Sequence, residues 1–324
     1  MKRTIVVLDG YTLNPGDLSW EGLEQLGDLH VYDRTGTDAV VERIGDAEIV
    51  ITNKTPLGKQ VFASCPSIKY VGVLATGYNV VDVKAAADAG VVVTNIPTYG
   101  TTAVAQYVFA LLLEMCHHVG AHSDAVRKGR WHSCPDFCFW DYPLIELAGK
   151  TMGIVGLGRI GYATANIAQA FGMKVLAFDA YKNKDWESET LRYVEMDELL
   201  SASDVISLHC PLTEETKGLI NKSSLAKTRP GVLLVNTSRG PLIDEADLVA
   251  ALESGHVAGA AVDVIAEEPP RTQNPLIDSA QCIVTPHIAW APKESRARLM
   301  DIAVANLRAF LENRPKNVVS ALPK

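Results

Sequence analysis

Three polar side chains in the second half of the chain stand just beyond three apolar runs. Arg239 follows Val235-Asn236-Thr237-Ser238 and precedes Gly240, Glu268 follows Val262-Asp263-Val264 and precedes Pro269, and His287 follows Ile283-Val284-Thr285-Pro286. Singly, each has an ordinary explanation, because an Arg at a strand end is usually a surface ion pair and a lone His is usually structural. As a set, they supply what the reduction of a 2-keto acid by a reduced dinucleotide requires. Arg239 offers a planar fork for a carboxylate and a carbonyl oxygen. His287 is the side-chain type whose protonation changes near neutrality, and a carboxylate at Glu268 favours its protonated, donating form. In the oxidative direction the same histidine is the base. Arg239, Glu268 and His287 are therefore the candidate catalytic residues.

A second constellation lies upstream. Gly156-Leu157-Gly158-Arg159-Ile160-Gly161 has the G-x-G-x-x-G spacing, which is weak evidence alone. Its context is stronger: it follows the strand-like Met152-Gly153-Ile154-Val155 and opens a helix-like segment with Ile160, Ile167, Ala168 and Phe171 on one side. Gly156 and Gly158 permit a tight turn and close approach to a pyrophosphate, Gly161 lets the helix meet the strand, and the helix N-terminus faces the phosphate charge. The next strand-like run ends at Asp179, whose carboxylate can accept both ribose hydroxyls and repels a 2′-phosphate, so NAD is expected rather than NADP.

The elements that must position these groups are legible as an alternation. Short β-branched runs at 4–8, 48–51, 69–73 and 91–94 predict buried strands separated by helix-length segments, hence parallel sheets. From Thr101 to about Val119 the spacing of Val104, Val108, Leu111, Leu112 and Met115 predicts a long helix, its apolar surface buried between domains or subunits. A second alternation runs through 152–155, 173–178, 204–208, 231–236, 257–262 and 282–284, and a last helix is predicted from Pro292 to about Asn313. Periodicity leaves open which unit that last helix packs on. Residues 129–147 break the pattern with Trp131, Phe137, Phe139, Trp140 and Tyr142, either as an arm covering a neighbouring subunit or as a loop folded on its own core.

Composition excludes several classes. At about 100–200 residues per domain, 324 residues predict two domains, and 48% hydrophobic with 21% charged residues is globular. Basic residues number 30 against 38 acidic, a net charge of −8, so nucleic acid and anionic membranes are poor partners. No apolar run approaches the roughly 20 residues of a spanning helix, and the stretch after Met1-Lys2-Arg3 is too short for a signal peptide, so a cytoplasmic protein is expected. Six scattered cysteines predict reduced thiols, and His117, His118 and His122 lack the nearby Cys or carboxylate that would complete a metal site, so no metal is expected.

With the His209-Cys210-Pro211-Leu212-Thr213 and Pro286-His287-Ile288-Ala289 segments added, the ordered motifs resemble the D-isomer-specific 2-hydroxyacid dehydrogenase family over nearly the whole chain. The resemblance implies an α/β fold of two doubly wound parallel-sheet domains, a Rossmann-type NAD domain (101–289) inserted into a flavodoxin-like substrate domain (1–100 plus 290–324). It implies a homodimer formed through the cofactor domains, and it gives Arg239, Glu268 and His287 the roles argued above. It also implies that Thr102, Arg159, Ile160, Pro211, Thr237, Ser238 and Asp263 line the NAD site, with Asp263 near the nicotinamide. Ala75, Thr76 and Gly77 match the loop whose amides hold the substrate carboxylate, which is an anion nest in physical terms, although a plain strand-end turn is the alternative. Glu268 stands where formate dehydrogenases of the superfamily carry Gln, which disfavours formate, and only residues 288–324 follow His287, which disfavours a regulatory extension. The run from Tyr99 to Glu114 and the His287-Ile288-Ala289-Trp290-Ala291 end are most similar to the glycerate dehydrogenase, or hydroxypyruvate reductase, branch. Trp290 would narrow the pocket for a small acid such as hydroxypyruvate or glyoxylate. D-lactate, broad 2-keto acid or phosphoglycerate specificity stays open, as does a non-enzymatic NAD sensor similar to the C-terminal-binding corepressors.

Overall fold

The β-branched runs become the central strands of two parallel sheets. In the computed structural model, which describes residues 2–320, the chain divides into two units: Met1–Gly100 with Trp290–Lys324, and Thr101–Ala289.

The first unit contains β1 (Thr4–Val7), α1 (Glu21–Glu24), β2 (Asp28–Val31), α2 (Val40–Ile44), β3 (Ile49–Thr52), α3 (Lys59–Ser64), β4 (Tyr70–Val73), α4 (Val83–Asp88) and β5 (Val92–Thr94). The strands pair in parallel in the order β2-β1-β3-β4-β5, the flavodoxin-like winding. Both β3 and β4 are buried at every position, as strands covered on both faces must be, which is why they read as unbroken apolar runs. The C-terminal helix Lys293–Leu311 belongs to this unit: Leu299, Met300, Ala303 and Leu307 join Ile5, Val7, Ile49 and Ile51 in one core cluster. Arg296 on that helix is almost fully buried. It donates to both oxygens of Asp17 at 2.7 Å, to the Leu13 carbonyl at 2.8 Å and to the Ala291 carbonyl at 2.8 Å, so one guanidinium ties the helix to the loop after β1.

The second unit contains α5 (Thr101–His117), α6 (Val119–Arg127), β6 (Thr151–Val155), α7 (Arg159–Ala170), β7 (Lys174–Phe178), β8 (Leu191–Tyr193), α8 (Met196–Ala202), β9 (Val205–Leu208), α9 (Lys222–Leu225), β10 (Val232–Asn236), α10 (Glu245–Glu253), β11 (Val257–Val262), α11 (Pro275–Asp278) and β12 (Cys282–Val284). Its parallel sheet runs β12-β11-β10-β9-β6-β7-β8, a Rossmann order extended by one strand. One apolar cluster gathers Val108, Leu112, Met152, Ile154, Ala165 and Val235, and another gathers Leu199, Leu208, Leu234, Leu248 and Val262. Alternate strand residues thus fill opposite faces.

Two features depart from the sequence reading, and a third bears on an alternative that it left open. β2 and β8 were not anticipated; both are sheet edges with exposed, partly polar residues, so neither shows a buried strand's signature. The helix expected from 101 to 119 ends at His117, because His118 adopts the left-handed conformation (φ 48°) and a new helix begins at Val119. Residues 129–147 hold one short 3-10 turn, Arg130–Ser133, and leave Trp131, Trp140 and Leu144 more than half exposed and Phe137 88% exposed, so these side chains are not folded on the unit's own core. Among the described residues, no helix is long and apolar enough to cross a membrane, no group of metal-ligating side chains forms, and the six cysteines are unpaired.

The hydrogen bonds from Arg296 hold the Asp17 carboxyl below its ordinary value of 3.8. A depressed folded value gives stability that is complete above the ordinary carboxylate range and lost as pH falls through the folded value. Asp17→Asn is therefore expected to lower the thermal unfolding midpoint at neutral pH, with the gap to wild type narrowing as pH falls below about 4. Calorimetry across that range checks this, and a gap independent of pH would contradict it.

Candidate active site

Parallel pairing places the carboxyl ends of all seven strands of the second unit along one edge, where doubly wound sheets bind ligands. At the end of β6, Gly156 turns the chain at φ 95°, and its amide donates to the Phe178 carbonyl at 2.8 Å. A Cβ at this position would lie 2.5 Å from the Cys210 amide nitrogen, and one at Gly161 would lie 2.2 Å from the Gly156 carbonyl oxygen. Both positions therefore require glycine. Gly158 instead faces open space at the start of α7, where a Cβ would meet nothing within 4 Å. Arg159 and Ile160 form the first turn of that helix, whose leading amides have no intrahelical acceptor and suit an anion.

Asp179 follows β7 and accepts the Tyr181 amide at 2.8 Å. Asp179 directly follows Phe178, whose carbonyl accepts the Gly156 amide, so its backbone lies beside the Gly156 turn; burial pushes the Cys210 thiol on the neighbouring loop up to about 11. Lys182, the neighbouring cation, is paired with Glu195 at 3.1 Å. Beyond β9, the His209 side chain is half-buried; burial pushes its pKa down to about 4, so it is neutral, and its Nε2 lies 2.9 Å from Ser207 Oγ. His209 Nδ1 and Thr237 Oγ1 are buried with no hydrogen-bond partner among the described residues. They follow β9 and β10, which are paired at Leu208 and Asn236. Buried polar atoms left unpaired beside an open glycine turn fit the polar groups of a dinucleotide. Pro211 is exposed on the next loop, its carbonyl accepting the Thr216 hydroxyl at 2.7 Å, and Thr102 is exposed on the first turn of α5.

The turn after β10 is built around the fully buried Asn236. Its amide nitrogen donates to the Arg239 carbonyl at 2.8 Å, its side-chain oxygen accepts the Ser238 amide at 3.0 Å, and Ser238 Oγ donates to the Leu208 carbonyl at 2.7 Å. This fixes the backbone of Arg239, whose side chain is exposed. Gly240 then passes against the next loop: a Cβ there would fall 2.0 Å from the Ile265 carbonyl.

Asp263 follows β11 at 1% exposure. One of its oxygens accepts Thr285 Oγ1 at 2.7 Å and the Ile288 amide at 2.9 Å, and the other accepts the Ala289 amide at 2.8 Å. Expected beside the nicotinamide, this carboxylate is spent on clamping the segment that carries His287. That residue adopts φ 55°, a left-handed conformation that costs a non-glycine residue about 1–2 kcal/mol. Its Nδ1 lies 2.6 Å from Glu268 Oε2, while Glu268 Oε1 accepts the Ile265 amide at 3.1 Å. A carboxylate only accepts, so Nδ1 carries the proton, and Nε2 is the ring nitrogen that Glu268 leaves for other chemistry. Both side chains are about one-third exposed.

Ala75, Thr76, Gly77 and Trp290 belong to the first unit. Thr76 donates its hydroxyl to the Ile96 carbonyl at 2.7 Å and accepts from the Asn95 side chain at 2.8 Å, so the loop after β4 is braced through one residue. Trp290 packs edge-on against Tyr99 at 6.3 Å. Sequence reasoning passed over the bracing by Asn236 and Asp263; the signal available was an Asn and an Asp at the ends of apolar strands, where burial forces each to find partners.

The sequence model of the D-isomer specific 2-hydroxyacid dehydrogenase NAD binding domain matches residues 109–289. The hydroxypyruvate reductase of Blautia hydrogenotrophica is 64% identical over 319 residues, covering 98% of this chain and 99% of that one. The glycerate dehydrogenase of Methylorubrum extorquens is 41% identical over 293 residues, covering 90% and 91%. The structure of D-lactate dehydrogenase from Aquifex aeolicus, complexed with NAD and lactic acid, superposes with a TM-score of 0.84 at 28% identity, covering 99% of this chain and all of that one. A Rossmann unit with an open glycine turn and an Arg, Glu and His on its strand-end loops, together with these matches, makes the chain a member of the NAD-dependent D-isomer specific 2-hydroxyacid dehydrogenase family.

Proposed function

We propose that this protein reduces a small 2-keto acid to the D-2-hydroxy acid with NADH, and catalyses the reverse, with hydroxypyruvate and glyoxylate as preferred substrates. The observation that carries this reading is the 2.6 Å contact between His287 Nδ1 and Glu268, two loops that meet on the strand-end edge that also presents Arg239. When bound, the nicotinamide supplies the hydride to the carbonyl carbon. Arg239 takes the carboxylate and carbonyl oxygen in its fork and polarises the carbonyl. His287 gives the Nε2 proton to that oxygen as charge develops there, and Glu268 holds the ring by Nδ1. For oxidation, the neutral ring takes the proton back.

The pyrophosphate is assigned to the open turn at Gly156, Gly158 and Gly161 with Arg159 and Ile160, and the ribose hydroxyls to Asp179. Thr102, Pro211, Thr237, Ser238 and Asp263 are assigned to the remaining wall of the NAD site. The unit 101–289 is then the NAD-binding domain, and 1–100 with 290–324 the substrate domain. In the substrate domain the backbone amides of Ala75, Thr76 and Gly77 receive the carboxylate, and Trp290 narrows the pocket. A homodimer is supported by the exposed aromatic side chains of residues 129–147, which a second copy would cover. A cytoplasmic location agrees with the unpaired cysteines.

Parallel assays of NADH oxidation with hydroxypyruvate, glyoxylate, pyruvate and 3-phosphohydroxypyruvate test the substrate reading. Turnover is expected to favour hydroxypyruvate and glyoxylate at roughly 1–1000 per second; tight NADH binding without turnover would contradict it and favour a sensor. Asp179→Ala is expected to erode the preference for NADH over NADPH by about 10- to 100-fold, the worth of charge-assisted hydrogen bonds to the ribose. An unchanged ratio of the two efficiencies would remove Asp179 from the cofactor site.

A further inference from the structure

The loop that delivers Glu268 runs from β11 to α11 with no regular secondary structure, and two amides near its start are spoken for by two different carboxylates. The Ile265 amide donates to Glu268 itself, and the next amide, Ala266, donates to Glu245 Oε1 at 2.8 Å. The other oxygen of Glu245 accepts the Asn274 side-chain amide at 2.8 Å. Asn274 is 9% exposed, and its own oxygen caps α11 by accepting the Leu276 amide at 3.0 Å, so its side chain cannot turn over without losing that bond. Glu245 therefore grips the loop at both ends, with Glu268 between them. Two donors converge on two oxygens of an acceptor-only group, which a carboxylate satisfies completely.

We propose that Glu245 is a positioning residue that acts through Glu268 on His287. It sits on the first turn of α10, whose N-cap Asp244 accepts the Asp247 amide at 3.1 Å, so its own backbone is fixed. The chain leading into α10 begins at Gly240, which lies against the Ile265 backbone and directly follows Arg239. One short segment, 239–245, thus carries Arg239 at one end and holds the Glu268 loop at the other. Farther along the loop, an exposed Glu267 to Arg271 pair at 3.7 Å and a Gln273 to Asp278 bond at 2.8 Å do not reach Ile265 or Ala266. Without Glu245 the loop loses its grip on both sides of Glu268, and the histidine loses a fixed partner.

This inference rests on the proposed role of the Glu268/His287 pair, and its test separates the two. Glu245→Ala and Glu245→Gln in the full chain are compared with wild type for kcat and KM with hydroxypyruvate, Kd for NADH by fluorescence, and amide hydrogen exchange over residues 264–276. Glu245→Ala is expected to lower kcat about 10- to 100-fold, the effect of a displaced catalytic group, with KM and the NADH Kd held within about twofold. Exchange should quicken at Ala266 and through the loop. Glu245→Gln keeps an acceptor for Ala266 and should recover most of kcat. Wild-type kcat or wild-type loop exchange in Glu245→Ala overturns the proposal, as does equal loss of NADH affinity and activity in both variants, which would make the residue part of the general scaffold. If wild type reduces no 2-keto acid, the functional reading fails instead, and exchange alone still decides whether Glu245 holds the loop.

Discussion

The site depends on a buried carboxylate. Parallel strands bring their ends to one edge, but the loops beyond those ends have no sheet to hold them, and the segment carrying His287 must also keep that residue in a left-handed conformation. Asp263 supplies the constraint. Enclosed at 1% exposure, it must find donors, and it finds three, all on residues 285–289. Its own amide donates to the Asn236 carbonyl at 2.9 Å, so β10, β11 and the histidine loop are locked in series. An unpaired buried polar group costs about 1–3 kcal/mol, so each of these contacts is costly to lose and the arrangement has few alternatives.

The same logic recurs outward from Asp263. Asn236 fixes the turn before Arg239, Gly240 admits the Ile265 backbone, and Glu245 holds the loop around Glu268. The side chains assigned to chemistry are partly or fully exposed, and the side chains that hold their backbones are buried or doubly bonded. Exposure leaves Arg239 and His287 accessible to a small anion; buried bracing gives them the precision that a proton transfer requires.

Much of this was legible in the residue order. Strands such as β3, β4, β6 and β10 are covered on both faces and so are apolar along most of their length, which is why their positions and the parallel winding could be read directly. The glycine turn was legible because backbone contacts of 2.2–2.5 Å exclude any side chain at Gly156 and Gly161. The edge strands β2 and β8 were not, because an edge need not be apolar. The break at His118 was not, because a single left-handed residue leaves the helical periodicity on either side intact. The role of Asp263 as a clamp was hidden for a different reason: its partners lie 22 to 26 residues away and two of the three are backbone amides, which carry no sequence signal. Glu245 bonds 21 and 29 residues away and resembles any acidic residue in a helix's first turn.

The central claim is that His287, held by Glu268 and the Asp263 clamp, moves the substrate's proton. Its most direct test is His287→Ala, with hydroxypyruvate reduction and NADH affinity measured on the same preparation. Loss of general acid catalysis should lower kcat by about 10²- to 10⁴-fold while the Kd for NADH stays at the wild-type value. Retention of wild-type kcat would contradict the account, because no proton donor would then be needed at the position the whole strand-end edge is built to hold.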